Sequence, residues 1–133
     1  TLGIFAVLIK LKDYTFDGFN GLAKKEPLLA AVATIFIFSL AGIPLTAGFM
    51  AKFMMLQAAV RQGNLMWLVI FALLMAAVSA YYYFRVVIAM YFKTGNPELV
   101  STLSNTDKFL LILTAVLVIV FGIAPQLLLP AGI

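Results

Sequence analysis

A chain of 133 residues that is 65% hydrophobic, 11% charged and free of cysteine and histidine, with a mean hydropathy of +1.13, has the balance of a membrane protein. The missing residue types exclude Cys- or His-ligated metal sites, iron–sulfur clusters, haem axial histidines and Ser-His-Asp or Cys-His catalysis within the chain, and no Gly-rich phosphate loop or nicotinamide or flavin fingerprint is present. The net charge of +4 is no nucleic-acid footprint, because the lysines lie mostly in loops between apolar spans.

Thr1 to Ile9 is apolar but too short to span at about 20 residues per helix, and it reads as the end of a helix whose start lies upstream. Thr1 opens inside apolar sequence with neither a methionine nor a leader pattern, as expected of a piece of a longer protein. Lys10 to Pro27 is a polar loop with Lys10, Lys12, Asp13, Asp17, Lys24, Lys25 and Glu26, turning at Asp17-Gly18 and Asn20-Gly21. Phe16, Phe19 and Leu22 recur there at helical spacing, which admits a short surface helix, although an ordinary loop is the reading its polar composition favours. Pro27 sits where the first turn of a helix accepts proline.

Leu28 to Val60, LLAAVATIFIFSLAGIPLTAGFMAKFMMLQAAV, is too long for one straight span. Its 33 residues make an unbroken helix of roughly 50 Å against a hydrocarbon core of about 30 Å. A tilt of about 53° would be needed, where observed tilts run from roughly 0 to 40°. The stretch has to kink, break or fold back, and Gly42-Ile43-Pro44 supplies the break. Pro44 has no N–H for the carbonyl of Leu40 and its ring crowds that carbonyl, while Gly42 and Gly48 on either side loosen the backbone. Freed backbone groups in a bilayer persist only against protein or an aqueous cavity, so the break is expected to face other helices.

Lys52, the single charge of this stretch, lies nine residues before Arg61. That separation is about 13 Å of helix, which puts Lys52 near the midplane of a core about 30 Å thick. Its Cα–Cβ bond leans toward the helix N-terminus, back toward the break, so snorkelling to the Arg61 surface is unfavourable. A lysine at this depth costs about 2.5 to 3.5 kcal/mol on insertion scales and marks a functional site by default. The plain alternative is a long-stemmed lysine whose head reaches the headgroups if the second half-helix tilts into the interface. Met50, Met54 and Met55 read as adaptable packing rather than as ligands. Thr34, Ser39, Thr46 and Thr114 either line a water path or bond to their own helix.

After the Arg61–Asn64 turn comes a second span at 65–92, of which Leu65 to Phe84 alone supplies 20 uncharged residues. Tyr81, Tyr82, Tyr83 and Arg85 read as its interfacial belt. Lys93 to Lys108 is the second long loop, turning at Gly95-Asn96-Pro97. Ser104 and Asp107 have capping-box spacing ahead of a third span at 107–129, which Pro125 helps to end. The fold class expected is an all-α integral membrane protein, a single membrane-domain fragment. It has three complete transmembrane helices plus the end of a fourth at 1–9, and the first complete one, 28–60, is discontinuous at Gly42-Pro44.

The two long loops are separated by two spans and share a side. Together they hold six lysines, with Arg85 nearby, against Arg61 alone in the turn and no lysine or arginine after Phe109. The positive-inside rule makes the long loops cytoplasmic and the C-terminus external. All five acidic residues lie in loops, so the counter-charge of Lys52 is expected from helices outside this chain or from another subunit.

GLAKKEP at Gly21 to Pro27, FSLAGIPLTAGFMAKF at Phe38 to Phe53 and SAYYYFRVV at Ser79 to Val87 resemble the C-terminal part of the N-type antiporter-like membrane subunits of respiratory complex I, NADH:quinone oxidoreductase. The resemblance covers nearly the whole chain. It implies the end of the eleventh helix followed by helices twelve to fourteen, with the twelfth discontinuous, and this agrees with the external C-terminus. Lys52 matches the family's helix-twelve lysine at the outward end of a proton path, and Gly42, Pro44 and Gly48 match the break. The family's other charged positions, a glutamate on the fifth helix and lysines on the seventh and eighth, would lie upstream.

What the resemblance implies is a non-redox, proton-translocating subunit of a translocase enzyme, with Lys52 as proton relay. No cofactor is expected in this chain; NADH, flavin, iron–sulfur clusters and quinone belong to partner subunits. The expected partners are other complex I membrane subunits and the lipid bilayer, with no nucleic acid. The expected location is a bacterial inner membrane, with the mitochondrial inner membrane as the alternative. Two other functions stay open: a subunit of a multi-subunit sodium/proton antiporter or other secondary transporter, and a structural membrane scaffold in which Lys52 ties helices together.

Overall fold

A computed structural model describes residues 2–99 and 103–127. Among these residues six α-helices follow one another: α1 (Leu2–Leu8), α2 (Leu22–Lys25), α3 (Pro27–Ala41), α4 (Ala47–Arg61), α5 (Met66–Phe92) and α6 (Asn105–Ile123). Short 3-10 turns occupy Phe16–Phe19 and Pro125–Leu127. Among the described residues the only β feature is an isolated antiparallel bridge between Leu11 and Leu99. The chain is therefore all-helical, and α5 and α6 are long and apolar enough to cross a membrane.

The helix ends follow from local chemistry. Pro27 opens α3 at its first position, where its missing N–H is not needed. The Ser104 N–H donates to the Asp107 carboxylate at 3.2 Å and holds the start of α6, two residues before the 107 expected from hydropathy. At the other end, Pro125 offers no N–H to the carbonyl of Phe121, and Ala124 before it leaves helical geometry at φ −124°, ψ 69°. The helix stops at Ile123, short of 129; residues 128 and 129 lie outside the described residues. The 28–60 stretch is two helices of 15 residues each, about 22 Å apiece.

Helix α3 is the centre. Leu29, Ala30, Val32, Ala33, Phe36 and Ile37 are buried, and α1, α2, α4, α5 and α6 all pack against it. Apolar residues surround it on every side, the pattern of a helix enclosed by others. The outer faces of α5 and α6 reverse the water-soluble arrangement: Trp67 is 67% exposed, and Ile70, Leu74, Val78, Phe109 and Leu113 also point outward. A continuous apolar exterior of this extent suits lipid or neighbouring membrane helices.

The order of contacts along α5 sets the direction of α4. The Thr34 and Tyr91 hydroxyls lie 3.3 Å apart, the Phe38 and Phe84 rings are centred 5.8 Å apart, and Lys52, Met55 and Leu56 share a cleft with Ala72, Met75, Ala76 and Ser79. Moving toward the N-terminus of α5 thus passes from α3 to α4. Both half-helices run antiparallel to α5, and α4 continues the course of α3 instead of folding back.

The two long loops lie together. The Lys12 N–H donates to the Glu98 carbonyl at 3.0 Å, and the Lys12 and Glu98 side chains pair at 2.7 Å. Lys25 donates to the Pro97 carbonyl at 2.6 Å and to Asn96 Oδ1 at 3.2 Å. Lys10 and Asp107 pair at 2.7 Å. The first loop is more helical than its composition suggests, with a 3-10 turn at Phe16–Phe19 and α2 at Leu22–Lys25. Phe19 and Leu22 are buried in the core, and that burial holds the turns which polar composition alone would not. Helix α5 runs on through Tyr81–Tyr83 and Arg85 to Phe92, and the Arg85 guanidinium sits 5.3 Å from the centre of the Phe16 ring, a cation–π contact.

Candidate functional site

The break between α3 and α4 occupies residues 42–46 and is built from an ordinary helix ending. Gly42 adopts φ 84°, ψ 43°, the left-handed conformation that glycine takes without a Cβ penalty. Its N–H donates to the carbonyls of Phe38 at 3.0 Å and Ser39 at 3.2 Å, and the Ile43 N–H also reaches Phe38 at 3.0 Å. This is the Schellman arrangement. It closes over Phe38 and Ser39 and leaves the carbonyls of Leu40 and Ala41 beyond it.

Lys52 fills that position. Its ammonium donates to the Leu40 carbonyl at 2.7 Å and to the Ala41 carbonyl at 3.2 Å. The side chain runs back toward the break, the direction in which the Cα–Cβ bond leans, and its Cδ passes 3.1 Å from where a Cβ on Gly42 would stand. The C-terminal end of a helix carries roughly half a negative charge. Lys52 therefore has a partial counter-charge inside its own chain, whereas the sequence pointed only to groups outside it. The signal was present in Pro44, which cannot serve Leu40; the proximity of a donor on the next helix was not.

The rest of the break is held from three sides. The Thr46 hydroxyl donates to the Ile43 carbonyl at 2.7 Å, and Thr46 is 7% exposed. Leu45 between them has φ 75°, an uncommon region for a residue with a Cβ. A Cβ on Gly122 of α6 would collide with the Leu45 carbonyl and the Thr46 backbone, so this glycine lets α6 seat directly against the break. Phe49 and Met50 return their N–H groups to the Thr46 carbonyl at 3.1 and 3.4 Å, and α4 begins.

Gly48 has a different part from the loosening expected of it. It lies within α4, and a Cβ there would collide with the Ser39 carbonyl. Its N–H donates to Ser39 Oγ at 3.1 Å. Gly48 thus permits close approach of the half-helices, and Ser39 bonds across the break. Thr34, Ser79 and Thr114 instead donate to carbonyls of their own helices, the usual use of a hydroxyl in an apolar helix. Sequence reasoning placed Ser39 and Thr46 in the same group as Thr34 and Thr114 and did not single out Gly122 or Leu45.

Lys52 is half-buried and opens on one side to the α4–α5 cleft, about 300 Å³ in volume and mostly apolar. Met55 lines this cleft although it is largely exposed, and Met54 and Gln57 are exposed as well. Among the described residues no group of three His, Cys, Asp or Glu side chains could hold a metal ion. The ion pairs among the described residues lie in the loop layer. There the hydrogen bond from Lys12, then its charge, holds the Glu98 carboxyl below the usual glutamate range, and the Thr15 N–H lowers Asp13.

A chain with apolar outer faces and a central helix interrupted beside a lysine is an integral membrane protein of the discontinuous-helix kind. It belongs to the family described as NADH:quinone oxidoreductase/Mrp antiporter, transmembrane, which matches residues 2–79. It is 37% identical over 127 residues to NADH-quinone oxidoreductase subunit N of Bdellovibrio bacteriovorus, covering 92% of this chain and 26% of that protein. With the subunit N of Chloroflexus aggregans it shares 41% over 129 residues, covering 93% and 26%. Among solved structures, respiratory complex I from Thermus thermophilus with bound aureothin contains a chain that matches with a TM-score of 0.84 and 31% identity, over 96% of this chain and 30% of that one. The chain spans about a quarter of the length of the curated relatives it matches.

Proposed function

We propose that these residues are the C-terminal part of a proton-translocating, non-redox subunit N of an NADH:quinone oxidoreductase, with Lys52 as a proton relay site. The observation that carries this reading is the seat of Lys52 on the Leu40 and Ala41 carbonyls, at 2.7 and 3.2 Å, in a chain of the antiporter-like family. On this reading residues 1–9 end one helix and 28–60, 65–92 and 107–129 form three spans, the first broken at Gly42 and Pro44. The loop layer is cytoplasmic. The break leaves the ammonium on backbone acceptors rather than on a carboxylate, and its open side faces the α4–α5 cleft, through which a proton donor or acceptor can approach. Moving one charge across 100 mV involves about 2.3 kcal/mol, a scale that rearrangement of two hydrogen bonds matches.

NADH, flavin, iron–sulfur clusters and quinone belong on this reading to partner subunits, which supply the redox energy. The membrane is a bacterial inner membrane, the setting suggested by the bacterial relatives. The test is NADH-driven proton pumping by vesicles bearing the full complex with Lys52→Met, measured beside assembly and NADH:quinone electron transfer. Pumping reduced at retained electron transfer supports the relay; full pumping by an assembled variant overturns it. Sodium-coupled flux without NADH oxidation would instead favour the antiporter reading, which the Mrp half of the family description keeps in view.

A further inference from the structure

Two contacts bridge the broken helix, and they stand one turn apart on α4. Gly48 approaches α3 so closely that a Cβ would collide with the Ser39 carbonyl, and its N–H donates to Ser39 Oγ at 3.1 Å. Four residues later Lys52 reaches Leu40 and Ala41, the two residues that follow Ser39. Positions four apart lie on one face of a helix, so the same face of α4 meets the same end of α3 at both places. The register between the half-helices decides whether Nζ reaches the two carbonyls. A slip of one residue along a helix axis is about 1.5 Å, enough to take a 2.7 Å hydrogen bond beyond bonding range. Among the described residues, no other α3 side chain hydrogen-bonds across the break. Thr46 bonds within the 43–46 turn, and Gly122 seats the turn on α6.

We infer that Ser39 is a positioning residue for Lys52: its hydroxyl, accepting the Gly48 N–H, locks the offset of α4 against α3 and so holds the ammonium on the Leu40 and Ala41 carbonyls. The inference rests on the proposed relay role for its consequence in pumping, but its geometric content stands independently. Ser39 acts through Gly48 and touches no translocated proton. Its removal leaves Lys52 chemically intact but no longer confined to its two acceptors, with the amine free in the cleft beside Met55 and Ser79.

The test uses the assembled complex in vesicles with Ser39→Ala, which deletes the acceptor oxygen and little else. Acetic anhydride, a membrane-permeant acylating reagent, is applied, and modification of Lys52 is read by mass spectrometry against the exposed Lys24 in the same chain. Loss of one hydrogen bond of ordinary strength corresponds to a population change of about fivefold, so labelling of Lys52 relative to Lys24 is expected to rise about that much. Protons pumped per electron pair fall alongside it while electron transfer persists. A purely structural role for Ser39 would not move the labelling ratio. If Ser39→Ala does not assemble, Ser39→Cys keeps the volume with a weaker acceptor and is held to the same expectation. A wild-type labelling ratio in whichever variant assembles overturns the inference. Raised labelling together with normal pumping by Lys52→Met would leave the latch standing and remove the relay.

Discussion

Lys52 donates to the carbonyl of Leu40 at 2.7 Å, the acceptor that Pro44, four residues after Leu40, has no N–H to serve. One residue makes the helix discontinuous and another, on the far side of the discontinuity, satisfies what it leaves open. A helix carbonyl stranded in an apolar layer is costly, so the lysine has a structural duty in addition to any it has toward protons. The two duties separate experimentally.

Lys52→Arg keeps several donors and a permanent charge, whereas Lys52→Met removes both. The arginine variant is expected to assemble with near wild-type thermal stability yet lose the lysine-dependent part of pumping. The methionine variant is expected to lose that pumping and also about 1 kcal/mol of stability, the lower end of what leaving acceptors unpaired costs, because these two are only half-buried. Thermal inactivation of NADH:quinone activity beside proton pumping measures both. Equal stability of the two variants would count against the capping role.

The two glycines of the break should differ in sensitivity. Gly42→Ala meets the left-handed penalty of about 1 to 2 kcal/mol, and its new Cβ stands 3.1 Å from the flexible Cδ of Lys52, which can shift. Gly48→Ala meets the backbone carbonyl of Ser39, which can move only with α3. Assembly, followed on a native gel, is expected to fall more for Gly48→Ala.

Leu45 holds φ 75° while 67% exposed, so its side chain does little to offset the strain. Leu45→Asn, a residue that tolerates this region, is expected to stabilise the break by about 0.5 to 1 kcal/mol. Measured thermal inactivation moving downward would show that the leucine is held by a contact that the exposed side chain does not reveal.

The loop layer should open at low pH. The hydrogen bond and charge of Lys12 hold the Glu98 carboxyl below the ordinary glutamate value of 4.5. A depressed carboxyl contributes above its unfolded value and loses that contribution as pH falls through the folded one. Lys12 is raised above 10.5 by the same partner, so its share persists at neutral pH and is lost only on the alkaline side. Hydrogen exchange at the Lys12 amide, which donates to the Glu98 carbonyl at 3.0 Å, is expected to be slow at neutral pH. Once the chemical pH dependence is removed, its protection should weaken below pH 4.5, and that loss should shrink at high salt, because the pair is exposed and screened. A Glu98→Gln variant as protected as the wild type at neutral pH would assign the clamp to the backbone alone.

Much of the chain was readable without coordinates, because the signals are local or one-dimensional. The length of 28–60 against bilayer thickness required a break, Pro44 and Gly42 located it, and the lean of the Cα–Cβ bond aimed Lys52 at it. Apolar length marked α5 and α6, although α6 ends at Ile123, short of the 129 that apolar length suggested. The short turns at Phe16–Phe19 and Leu22–Lys25 were harder, since their support is the burial of Phe19 and Leu22 beneath helices distant in sequence.

What the sequence by itself determined is an all-helical membrane chain of the antiporter-like family, with one helix that cannot be continuous and one lysine beside the gap. What only the tertiary structure decided is how the gap is closed. The carbonyls of Leu40 and Ala41 are satisfied by Lys52, Ser39 turns its oxygen to Gly48 instead of being merely one more hydroxyl, and Gly122 of α6 admits Leu45 and Thr46. These partners are set by how the two half-helices are offset across the break, about 1.5 Å per residue of slip. Composition and periodicity carry no record of that distance.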